Sequence, residues 1–182
     1  MKIAIIGLGN TLFTDEGIGT RFVHCISNIV RDEYRDMVHV YPLETKILDI
    51  ITIVQQENYD KIIIIDSGNI ENRYEIYRIS DLDNENIEEL KSMTLNKYSH
   101  SFSIIDIALY LKMFSKNCDI YLILFKPENL KMLDKITEKC VSSVIEAFRK
   151  ILQILNIEYY FEDRWDCVYR CVISSQDLQE FH

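Results

Sequence analysis

The sequence predicts an α/β fold: a three-layer sandwich in which a mostly parallel, twisted sheet of about five strands carries helices on both faces. Three observations predict it. The runs Ile3–Leu8, Lys61–Asp66 and Cys118–Phe125 are rich in Ile and Leu and almost continuously apolar, as strands covered on both faces are. Between the strands come stretches whose apolar residues recur at helical spacing. Four of the five glycines fall between Gly7 and Gly19, where the first strand must turn into a helix.

Taken in order, Met1 to Leu8 reads as a central strand. From about Gly17, Ile18, Phe22, Ile26, Ile29 and Val30 predict a first helix ending near Arg35. Met37 to Tyr41 is a second strand, stopped by Pro42. Ile47, Leu48, Ile51 and Val54 mark a second helix to about Asn58. Lys61 to Asp66 is the clearest strand, closed by an acid and then Ser67-Gly68. Tyr74 to Ile79 alternates aromatic or apolar with polar residues, which predicts a half-exposed strand near a sheet edge. Asp81 to Asn96 reads as an acidic loop with a short helical turn around Ile87 to Leu90. Ser99 and Ser101 offer N-caps for a helix running through Ile104, Ile107, Leu111 and Met113, with His100 at its threshold. Cys118 to Phe125 is a buried strand, ended by Lys126-Pro127. A long helix is expected from Leu133 to Leu155. Beyond Ile157 the chain is aromatic and acidic, and is expected to add a strand or a tail packed on the body. No linker or repeat interrupts residues 1–182, which read as one domain: a body over 1–155 and an extension over 156–182.

Composition narrows the function. A net charge of −9 argues against a broad nucleic-acid-binding face, which needs clustered Lys and Arg. The first apolar run is too short, and too soon broken by Gly7 and Asn10, for a signal peptide, and no segment is long enough to span a bilayer. Five scattered cysteines without a CxxC pair suit free thiols in a reducing cytoplasm.

In open parallel sheets, ligands bind beyond the carboxyl ends of the strands. Three potential metal ligands fall there: Glu16 after the first strand, Asp66 ending the third, and His100 before the third helix. Two carboxylates and an imidazole suit a borderline divalent ion such as nickel or zinc. Each alone has an ordinary reading: Asp66 as a solvated loop acid, His100 as a packing or capping residue, Asp15 and Glu16 as favourable charges at a helix N-terminus. Their common edge favours the joint reading. The same two acids repel the phosphate that a nucleotide turn would bind, and the third glycine of a dinucleotide fingerprint is missing at Leu12. His24 and His39 lie on a predicted helix and strand, where core or surface roles are expected. Lys131 and Lys135 read as a solvated helix face, and Trp165 as packing for the tail.

The segment Gly7-Leu8-Gly9-Asn10-Thr11-Leu12-Phe13-Thr14-Asp15-Glu16-Gly17-Ile18-Gly19 resembles the opening signature of the [NiFe]-hydrogenase maturation endopeptidases, GxGNxLxxD(D/E)GxG, at every specified position. Ile64-Ile65-Asp66, Ser99-His100-Ser101 and Ile123-Leu124-Phe125-Lys126-Pro127-Glu128 are similar to later features of that family, in order, over about Met1 to Leu155. The resemblance implies a cytoplasmic, monomeric protease that removes a C-terminal peptide from the hydrogenase large-subunit precursor after nickel insertion. It carries the family's metal-contacting positions to Glu16, Asp66 and His100, with nickel presented by the substrate and zinc or cadmium able to occupy the site. Asp15 takes a supporting or capping role, and Asn10 pins the loop or a substrate backbone. Neither nucleic acid nor membrane is implied as a partner. Two departures stand out: no glycine turn follows Pro42, and Ser103 replaces a glycine common after the family's His. The first leaves open a non-catalytic relative that binds a hydrogenase subunit as an assembly chaperone. The Gly-Leu-Gly-Asn string is also similar to peptidyl-tRNA hydrolases, but Thr11-Leu12 stands where that family has Pro-Gly, and Phe22 follows Thr20-Arg21 where it has its His.

Overall fold

Alternation along each strand decides how the layers are filled. In the computed structural model, which describes residues 1–94, 103–114 and 118–175, five strands form one sheet. They are β1 (Ile3–Leu8), β2 (Val38–Glu44), β3 (Lys61–Ser67), β4 (Tyr74–Arg78) and β5 (Asp119–Phe125), in the order β2-β1-β3-β5-β4. All pairings are parallel except β4 against β5. Ile3, Ile5, Ile63, Ile65, Tyr121, Ile123 and Phe125 point to one face and Ala4, Ile6, Leu8, Ile62, Ile64, Leu122 and Leu124 to the other, giving two separate cores. The first core is closed by α1 (Ile18–Ile26), α5 (Glu138–Leu155) and α6 (Trp165–Ser174). The second is closed by α2 (Asp49–Gln56), α3 (Asn84–Thr94) and α4 (Ile104–Phe114). No helix among the described residues is long and apolar enough to cross a membrane.

The departures from the sequence reading have local causes. The first helix stops at Ile26, not near Arg35, because backbone of the extension intrudes: Arg31 N–H donates to Tyr160 O, Glu162 N–H donates to Ile29 O, and Val30 pairs with Phe161. Pro42 does not stop β2, which runs on to Glu44; β2 is an edge strand, where a missing N–H costs nothing on the open side. The expected acidic loop is largely helix, α3, begun by Asp83, whose carboxylate accepts the Asn86 N–H at 2.8 Å. Helix α4 is capped by Ser103: its Oγ accepts the Asp106 N–H at 3.2 Å, and Asp106 accepts the Ser103 N–H at 3.0 Å. That reciprocal box needs a side chain where the resembling family has glycine. Ser99, His100 and Ser101 lie outside the described residues.

Helix α5 begins at Glu138, so Leu133 to Ile136 belong to a loop, and Lys131 and Lys135 with them, rather than to a helix face. The extension forms α6 and packs on α1 and α5 through Val168 and Val172. Two of the cysteines are not free thiols: Cys25 on α1 and Cys171 on α6 form a disulfide across 146 residues. Sequence spacing gave no sign of it because the two helices meet only in the folded chain.

Candidate active site at the carboxyl edge of the sheet

The turn after β1 is held shut by backbone contacts that only glycine permits. Gly9 has φ +117°, and a Cβ there would collide with the Glu16 carbonyl. Gly19, in the first turn of α1, lies so close to the strand ends that a Cβ would stand 2.8 Å from the Ile65 oxygen and closer still to that of Leu8. Helix α1 therefore starts against the ends of β1 and β3. Glu16, three residues before Gly19, and Asp66, one residue after Ile65, are brought to the same edge of the sheet.

The two carboxylates sit in different surroundings. Asp66 is fully buried, and its Oδ1 accepts the Ser67 N–H at 2.7 Å, which fixes its direction. Glu16 is half-buried. Asp15 faces elsewhere. Its carboxylate is fully buried and accepts the N–H groups of Glu128 (2.9 Å), Asn129 (2.8 Å) and Thr137 (2.9 Å) and the Thr137 hydroxyl (2.7 Å). A carboxylate with four protein donors is an anchor for the loop after β5. Thr14 joins it, donating its N–H to Lys131 O and its hydroxyl to Asn129 O. Asn10 shapes its own turn, its Oδ1 accepting the Leu12 N–H at 3.0 Å.

His100 lies outside the described residues, so Glu16 and Asp66 are the two proposed metal-contacting positions that the structure places. Among the described residues no three His, Cys, Asp or Glu side chains are grouped to hold a metal ion. Glu16 and Asp66 are both carboxylates, whose oxygens are hard donors of the kind divalent cations accept. Of the two histidines among the described residues, His24 is exposed on α1, and the His39 ring meets the Tyr59 hydroxyl at 2.8 Å.

A groove of about 600 Å³ lies elsewhere, between β4, α5 and α6, and includes Tyr74, Glu146, Arg149 and Trp165. None of Asn10, Asp15, Glu16 and Asp66 lines it. Two groups that hold the edge together were not singled out in the sequence. Arg21, the one guanidinium on α1, is buried; it donates to Thr11 O at 2.8 Å and to Ser175 O at 2.7 Å, linking the motif loop to the extension. Burial pulls its pKa below the ordinary value, and Glu44 opposes that. An arginine among the apolar positions of a helix was the available signal. Thr137, the other, carried none.

Structural comparison then places the architecture. E. coli HybD, a hydrogenase maturating endopeptidase, is similar over 86% of this chain and 93% of its own, with TM-score 0.60 and 23% identity. A hydrogenase 2 maturation peptidase from a Thaumarchaeota archaeon matches over 87% and 100%, with TM-score 0.56 and 24% identity. The chain has the fold of the hydrogenase maturation proteases. HycI, a [NiFe] hydrogenase maturation protease from Thermococcus kodakarensis KOD1, shares that protease fold over 86% of this chain and 91% of its own, with TM-score 0.57 and 18% identity. No family model matches the sequence, and no curated protein does. The likeness to the protease fold is thus one of architecture, and the motif residues sit where that architecture exposes its strand ends.

Proposed function

We propose that this chain is an endopeptidase of hydrogenase maturation, removing a C-terminal peptide from the [NiFe]-hydrogenase large-subunit precursor once nickel is in place. The observation that carries the reading is the position of Glu16 and Asp66. A glycine turn that fits no side chain brings both carboxylates to the strand ends of a fold shared with solved maturation proteases.

In this reading Glu16, Asp66 and His100 hold a divalent ion that arrives with the substrate. An ion held there would supply Lewis-acid polarisation of the scissile carbonyl and would lower the pKa of a bound water. The chain's own residues contribute position. Ser67 N–H orients Asp66, and Asp15, by anchoring the loop after β5, fixes the backbone from which Glu16 projects. The test is to mix the protein with nickel-loaded precursor and follow precursor mass. Loss of a C-terminal peptide is expected; a stable complex that never shortens sinks the protease reading.

A second reading, a binder that assists assembly without cutting, has one observation in its favour. Where the resembling family turns on glycine after the second strand, this chain places Glu44 at φ +54°, its carbonyl accepting the Gly9 N–H at 3.0 Å. Here a left-handed backbone carries a charged side chain in place of glycine. The same mass experiment separates the two readings.

A further inference from the structure

Next to the candidate site, the chain presents apolar side chains to solvent at a cost. The motif loop and the loop after β5 form a short two-stranded ribbon: Phe13 pairs with Met132, and Leu133 N–H donates to Leu12 O at 3.0 Å. Four large apolar residues on it are exposed: Leu12 (44%), Leu130 (55%), Met132 (56%) and Leu133 (69%). Isolated exposed leucines are ordinary, but several on one short ribbon are not.

Leu133 sharpens the point. Its φ is +53°, in the left-handed region that disfavours a branched side chain. Strain combined with exposure serves no packing purpose, and strained residues cluster at functional surfaces. The ribbon is also stiff, since the buried Asp15 carboxylate and Thr14 tie its two halves together. Lys131 and Lys135 are exposed on the same loop, on a chain whose net charge is −9. Of the two acids in that loop, Glu128 is held by Lys139 at 2.6 Å, and Asp134 accepts the Asn129 side-chain amide and the Lys135 N–H. The loop after β5 therefore edges the apolar ribbon with lysine, while on the motif-loop side Glu44 accepts the Thr11 hydroxyl at 3.3 Å.

We propose that this ribbon is the docking surface for the large-subunit precursor, taking an apolar segment of that protein flanked by carboxylates. The proposal rests on the function proposed above. It differs in locating recognition outside the metal-contacting set, on a ribbon continuous in sequence with Glu16.

The test compares wild type with Leu130→Ser/Met132→Ser/Leu133→Gly, using Ile154→Ser, an exposed apolar change on α5, as control. Binding of nickel-loaded precursor is measured by titration, its shortening by mass, thermal stability by calorimetry and self-association by sedimentation. Glycine relieves the strain at Leu133, so the triple variant should melt no lower than wild type, while its precursor Kd rises at least about tenfold and the control's does not. Added salt should weaken wild-type binding. Several outcomes overturn the proposal. Unchanged Kd with normal shortening removes the ribbon and leaves the protease standing. A lowered melting temperature shows the ribbon to be covered by this chain itself. A wild-type dimer that becomes monomeric in the triple variant makes it a self-association surface. If wild type binds through the ribbon without shortening the precursor, docking stands and the protease reading falls. If wild type neither binds nor shortens it, both fall.

Discussion

Asp15 and Thr137, separated by 122 residues, are joined by two hydrogen bonds: Thr137 N–H to Oδ1 at 2.9 Å and Thr137 Oγ1–H to Oδ2 at 2.7 Å. Thr137 is the N-cap residue of α5, so one buried carboxylate fixes both where the motif loop ends and where the longest helix starts. Hydrogen bonds to a charged group contribute about 1.5–3 kcal/mol each, and orphaned buried donors add desolvation cost. Asp15→Ala is expected to lose about 3–5 kcal/mol of stability by urea unfolding. Asp15→Asn should lose somewhat less, because an amide oxygen keeps part of the acceptor set. A neutral result for both would mean that the loop does not depend on this anchor.

The Cys25–Cys171 disulfide closes a loop of 146 residues, for which the chain-entropy relation gives about 5 kcal/mol, an upper figure, and native disulfides typically contribute about 2–4 kcal/mol. Cys25→Ala/Cys171→Ala, or dithiothreitol on wild type, should lower stability by that smaller amount. The loss should concentrate on α6, read as faster amide exchange over Trp165–Ser174 than over α5. A purified protein with five titratable thiols under native isolation would show the pair reduced and predicts no effect of dithiothreitol.

Acid sensitivity should enter partly through Asp119, at the start of β5. Hydrogen bonds from Arg78 (2.6 Å) and Lys61 (3.2 Å) hold its carboxyl below the ordinary value of 3.8, with burial opposing. A depressed folded-state pKa contributes stability that is fully present above the unfolded value and is lost as pH falls through the folded one. Asp119→Asn should therefore be less stable than wild type at pH 7, with the gap narrowing as pH falls below about 4, the ordinary carboxylate value. Parallel curves across that range in urea titrations would exclude Asp119 from the acid response.

The sheet was legible because fully buried parallel strands advertise themselves: Lys61–Ser67 and Asp119–Phe125 are apolar runs with no competing helical reading. The motif turn was legible because glycine at Gly9 and Gly19 is a steric demand written in the residue type. Helix ends were less so. The stop at Ile26 depends on the backbone of Tyr160 and Glu162, and the late start of α5 depends on Asp15, both far away in sequence. Residue type alone did not separate the adjacent acids, although the resemblance gave Asp15 a supporting or capping role and Glu16 a metal contact: the donors of the loop after β5 are what turn Asp15 inward. The disulfide and the exposed Leu133 are tertiary facts with no local pattern to announce them, whereas Arg21 left one signal, an arginine among the apolar positions of a helix.

The catalytic prediction turns on Asp66 and Glu16 behaving unlike Asp15. Asp66→Asn is nearly isosteric and keeps an oxygen to accept the Ser67 N–H, so its melting temperature should stay within a few degrees of wild type. Its charge is what the reaction would miss. Cation-mediated stabilisation of the transition state is worth several kcal/mol, and each 1.36 kcal/mol is tenfold in rate, so processing should fall at least about 100-fold. Glu16→Gln and His100→Ala should do the same. Asp15→Asn should instead lower stability and processing together, and moderate cooling should restore part of its activity as the loop re-forms. The measurement is single-turnover shortening of nickel-loaded precursor beside calorimetry on the same samples. If Asp66→Asn or Glu16→Gln cuts at the wild-type rate, that residue leaves the mechanism. If both do, the carboxyl edge is a structural joint, and the groups that carry the cleavage lie elsewhere in the chain.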